Sequence, residues 1–97
     1  MKTIQSRHLR MNDQQLREHI EALLFVEGAM SKKELAKLLD VALEQVESAS
    51  VSLRDASAGR GIAVVDEGKT LELRTSPSVA EKIEALRREE LSRELGK

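Results

Sequence analysis

The 97-residue chain has no cysteine, tryptophan or tyrosine, and only one phenylalanine and one proline. Without cysteine it can form no disulfide, no thiolate metal site and no cysteine nucleophile. Small domains in oxidising compartments often carry disulfides, so their absence points to the cytoplasm. Phe25 is the sole aromatic. A site that stacks bases, sugars or flavins is therefore not expected, and the core must be aliphatic. Long apolar runs are missing too. The longest, Ala22 to Val26, has five residues, against the about 20 that a membrane span needs. Lys2, Arg7 and Arg10 precede no apolar block, so no export signal is read. Finally, the net charge is −1, without the basic excess usual in a dedicated nucleic-acid binder.

What remains is a globular composition, 40% hydrophobic and 34% charged, of a length suited to one domain. Residues 1–11 show no periodicity and are read as an N-terminal arm. Asn12, with Gln15 three positions on, makes a capping box for a first helix. Leu16, Ile20, Leu23 and Leu24 form its apolar stripe, which Phe25 and Val26 widen, and Gly28 stops it. Phe25, as the largest side chain of a small domain, is expected in the core. Ala29 and Met30 form a connector able to pair as a minimal strand. Ser31 and Glu34 then cap a second helix with Leu35, Leu38 and Leu39 on its buried side. After a turn at Asp40 and Val41, a third helix is predicted over residues 43–58. Val46, Ala49, Leu53 and Ala56 make its inner stripe, and Val51 points away from Val46 by roughly 140°.

Gly59-Arg60-Gly61 ends that helix. Residues 62–67 and 70–75 read as two strands of a hairpin, joined at Glu67-Gly68-Lys69, with Leu71 and Leu73 on one face. Ser76-Pro77 opens a last helix with the stripe Val79, Ile83 and Leu86. Its tail is dense in both charge signs, with Glu84–Arg88 and Glu89–Arg93 as candidate i,i+4 pairs. The fold class is therefore mainly α with a small β-hairpin: a winged helix, in which a helix-turn-helix carries a β wing. The domain is placed at residues 12–91.

A winged helix binds DNA or protein, and the third helix helps to decide between them. In a DNA reader this helix carries Arg, Lys, Asn or Gln toward the major groove. Here its outer face offers Glu44, Glu47, Ser48, Val51, Ser52, Arg54 and Asp55, which a duplex would repel. The hairpin tip adds Asp66 and Glu67 beside Lys69. Lys32, Lys33 and Lys37 on the second helix are read as solvated. A DNA-binding transcriptional regulator is thus the alternative, not the leading reading. Apolar residues outside the core stripes are better clues: Phe25, Leu43, Val51 and Leu91 are the candidate partner or dimer surface.

Catalytic and metal chemistry is absent from the pattern. His8 and His19 lie on different segments and have no ligand partners at metal-site spacing. No Gly-x-Ser-x-Gly or triad arrangement occurs. Gly59-Arg60-Gly61 precedes a strand, whereas a phosphate loop follows one. No catalytic, cofactor-binding or metal residue is assigned, and no cofactor is expected.

The segment Ile20-Glu21-Ala22-Leu23-Leu24-Phe25-Val26-Glu27-Gly28-Ala29-Met30-Ser31, followed by Glu34-Leu35-Ala36, resembles the opening of bacterial segregation and condensation protein B. Val46-Glu47, Gly59-Arg60-Gly61-Ile62 and Leu73-Arg74-Thr75 before Pro77 extend the resemblance over roughly residues 16–95. The serines and Ala49 of the third helix depart from a pattern that usually has leucine and glutamate there. The resemblance implies a non-enzymatic accessory subunit of the SMC–kleisin complex that condenses and segregates the chromosome, cytoplasmic and nucleoid-associated. It implies the homodimerising N-terminal half, with residues 92–97 starting a linker to a second winged helix. Its implied partners are a second copy of itself and, in the full complex, the kleisin ScpA and an SMC ATPase. DNA is contacted only indirectly, and membrane not at all.

Overall fold

A computed structural model describes residues 11–95, with side chains through residue 90. The elements run α1 (Asp13–Glu27), β1 (Ala29–Ser31), α2 (Lys32–Leu39), α3 (Leu43–Ser57), β2 (Ile62–Asp66), β3 (Thr70–Thr75) and α4 (Pro77–Leu95). The winged-helix order expected from the sequence is present, with Ala29–Ser31 as a third strand of the wing sheet.

Local chemistry explains most boundaries. The Asn12 side chain accepts a hydrogen bond from the Gln15 backbone N–H at 2.8 Å, and the Gln15 side chain accepts one from the Asn12 N–H at 3.1 Å. Both otherwise orphaned donors are satisfied before α1 begins. Gly28 ends α1 at φ 91°, in a region that L side chains avoid. Its N–H donates to Leu24 O at 2.7 Å, and its carbonyl accepts from Leu73 N–H at 3.2 Å. One glycine therefore closes the helix and turns the chain onto the sheet edge. The Ser31 hydroxyl accepts from Glu34 N–H at 3.0 Å to cap α2. Asp40, at φ 56°, ends α2 in the left-handed region, which aspartate tolerates better than most residues.

The sheet is antiparallel in the order β1-β3-β2. Met30 faces Leu71, and Val64 faces Leu73. The period-2 alternation of the strands sends Val64 and Leu71 into the core. They meet Leu16, Ile20 and Leu24 of α1, Met30 of β1, Leu35 of α2, and Val46, Ala49 and Leu53 of α3. Each large aliphatic side chain buried this way contributes about 1.5–3 kcal/mol.

Four local expectations are corrected. Phe25, expected in the core, is 80% exposed. It lies about 100° around the helix from Leu24, and Leu24 already takes the inward position. Leu38 of α2 is exposed for the same reason, because Leu35 and the half-buried Leu39 fill the inner face. Ala56 is exposed, since the inner stripe of α3 ends at Leu53. The Ser76 hydroxyl donates to the Arg60 carbonyl, so it fastens α4 to the α3–β2 loop instead of capping its own helix. The Ser76 N–H reinforces this by donating to Gly61 O at 2.8 Å.

Candidate functional site

Lys32 is the first surprise for function. Read from the sequence as solvated, it is 4% exposed. Its ammonium lies 2.8 Å from Glu47 Oε1 of α3 and 2.9 Å from Asp66 Oδ1 of β2. Burial alone would lower the lysine pKa, but the hydrogen bonds and charges of Glu47 and Asp66 prevail and hold it above its usual value. Burial likewise acts to raise the Asp66 pKa. Lys32 and the Gly68 N–H outweigh it, so the Asp66 carboxyl sits below the ordinary range. Two of the acids that appeared to repel DNA are therefore structural, tied to one lysine between α2, α3 and the wing. The outer face of α3 still presents Glu44 near its start and Asp55 near its end, the latter 3.6 Å from Arg54.

The wing's outer face is also internally paired. Arg74 reaches Glu67 at 2.6 Å and Glu72 at 2.8 Å. These bonds raise the already high arginine pKa and occupy a cation that could otherwise meet phosphate. Of the candidate i,i+4 pairs on α4, Glu84–Arg88 does not form among the described residues. Arg93 lies outside the residues whose side chains are described.

The surface that stands out is apolar. An open groove of about 870 Å³ runs between α1, the end of α3 and the β2–β3 wing. Ala22, Phe25 and Val26 form its α1 wall. Leu53 and Ala56 of α3, and Ile62, Val64 and Leu73 of the wing, form the rest. Val26 is 73% exposed and Ile62 56%. Arg17, Glu18, Glu21 and Arg60 stand along the polar rim. Clustered exposed apolar side chains with a polar rim mark an interaction site, whereas single ones do not.

Of the four candidate surface residues, Phe25 alone lines this groove. Leu43, at the start of α3, and Val51, on its outer face, are partly exposed but lie elsewhere. Leu91 is outside the residues whose side chains are described. The residues missed are Val26 and Ile62. The signal was available for Val26. Five successive apolar residues, Ala22 to Val26, circle more of a helix than one core can bury. For Ile62 nothing local distinguishes it from Val64; only the placement of α1 above the wing does.

Among the described residues no cluster of acids and histidines can hold a metal ion, and no helix is long and apolar enough to cross a membrane.

An apolar surface on a winged helix with an acidic third helix gains meaning from relatives. Residues 18–97 match the family described as segregation and condensation complex subunit ScpB. The chain belongs to the ScpB family. A solved dimer of an ScpB N-terminal domain complexed with an ScpA peptide is similar to it at 26% identity and a TM-score of 0.63. That match covers 71% of this chain and 84% of the solved one. ScpB from Mycobacterium tuberculosis shares the fold at 21% identity and a TM-score of 0.73. There the match covers 84% of this chain but only 53% of the mycobacterial protein, so the chain spans about half the length of that relative. Comparison with curated proteins finds no match. Family membership favours the chromosome-condensation reading over a transcriptional regulator.

Proposed function

We propose that this chain is the N-terminal, self-associating part of a non-enzymatic accessory subunit in an SMC–kleisin complex. It acts in chromosome condensation and segregation by holding protein partners in the cytoplasm, at the nucleoid. The partners are a second copy of the chain and the kleisin ScpA, with the SMC ATPase joined through ScpA. DNA is reached indirectly. A second winged helix follows this domain in the whole protein.

The observation that carries the reading is Phe25: the only aromatic of the chain stands 80% exposed at the mouth of an apolar groove. Leaving so large an apolar group in water is unfavourable unless a partner covers it. The solved ScpB N-terminal relative, which is a dimer with an ScpA peptide, supports the identity of the partners. The acids Glu44 and Asp55 on α3 and the self-paired wing argue against a duplex as the direct ligand.

Light scattering over a concentration series, followed by titration with a fragment of the cognate ScpA, tests this. A dimer that binds the fragment is expected. A chain that stays monomeric and ignores ScpA, yet binds duplex DNA with a steep salt dependence, would overturn the proposal.

A further inference from the structure

Helix α4 has an apolar stripe and no surface of its own to place it on. Ser76 pins the start of the helix to Arg60 and Gly61, at the edge of the groove. Val79 and Ala80 are half-buried there, but every residue from Glu81 to Glu90 is exposed. Ile83 is 41% exposed and Leu86 52%. One protein thus carries an uncovered apolar groove and an uncovered apolar helix face, and the helix departs from the rim of the groove.

We infer that two copies exchange α4: the helix of each lies in the α1–wing groove of the other, with Ile83 and Leu86 between Val26, Phe25 and Ile62. The inference rests on the self-association proposed above and names the surface that performs it. Symmetry makes the contact self-complementary, since groove and helix belong to the same chain and one two-fold axis satisfies both.

Charge complementarity supports this occupant. At 100° per residue, Lys82 and Arg87 flank the Ile83–Leu86 stripe, roughly 70° to either side of its centre. On the α1 wall of the groove Glu18 and Glu21 outnumber Arg17, so whichever of the two flanks faces that wall brings its cation to net negative charge.

The absence of cysteine makes the test direct. Val26→Cys and Ile83→Cys chains, each with a different-sized tag, are mixed and oxidised. A mixed disulfide between the two tags is expected, because the bond requires Cα atoms within about 7 Å. In parallel, light scattering of Ile83→Glu/Leu86→Glu should show self-association weakened at least tenfold, with an unchanged thermal melt at concentrations low enough for the monomer, because both positions are exposed there. If the unmodified chain is dimeric, the Glu variant stays dimeric and no mixed disulfide forms, α4 exchange is wrong while self-association stands. If the unmodified chain is monomeric, both fall. If a Val26→Cys/Ile83→Cys chain closes a disulfide only within itself, α4 folds onto its own groove and the exchange is overturned.

Discussion

Asp66 Oδ1 of the wing lies 2.9 Å from the ammonium of Lys32, at the first position of α2. Glu47 of α3 approaches the same ammonium at 2.8 Å. One buried lysine therefore ties the wing tip to the helix-turn-helix, and the two acids differ in what they lose without it. Glu47 is half-exposed and can turn to water, whereas the Asp66 side chain is only 16% exposed.

Lys32→Met should consequently destabilise the fold by about 2–3 kcal/mol, because it strands a carboxylate that water reaches poorly. Glu47→Gln should cost no more than about 1 kcal/mol, as for a partly exposed pair. Urea titration of both variants checks the ratio, and equal losses would refute the assignment.

The same pair sets a pH dependence. The Asp66 pKa is lowered in the folded protein, so its stabilisation is complete above the unfolded carboxyl value, about 3.9. It is lost as pH falls through the lower folded value. Lys32 is raised, so its share is complete below the unfolded value, about 10.4. That share fades only as pH rises through the still higher folded value. Denaturant midpoints measured from pH 2 to pH 6 should fall less steeply at the acid end for Asp66→Asn than for the unmodified chain.

Neighbouring residues on α1 should behave as opposites. Leu24 is fully buried, and Leu24→Ala should cost about 2–5 kcal/mol. Phe25→Ala should change the melting temperature of the monomer little, since Phe25 is mostly in water, yet weaken self-association at least tenfold. Thermal melts at low concentration and light scattering at high concentration separate the two effects.

Gly28→Ala should destabilise by more than about 1 kcal/mol. The cause is conformational: a Cβ there would meet nothing within 4 Å, but the backbone sits at φ +91°. Thermal melting measures the loss.

The acidic third helix and the Ala22–Val26 run were legible because each is a property of neighbours in sequence. Periodicity and capping chemistry act over three or four residues, so Asn12, Gln15, Gly28 and Ser31 set the ends of α1 and α2 before any packing occurs. The alternation of β3 likewise puts Leu71 and Leu73 on one face without reference to the rest of the chain, whereas β2, apolar from Ile62 to Val65, leaves the choice between Ile62 and Val64 to packing. Tertiary structure alone decided which apolar residues were surplus. A core has one inward direction per helix, and whether Phe25 or Leu24 takes it depends on where α3 and the wing stand. It alone decided the fate of Lys32 as well, since its partners are 15 and 34 residues away in sequence. No local rule sums charges across that distance; only the closure of α2, α3 and the wing around one ammonium does.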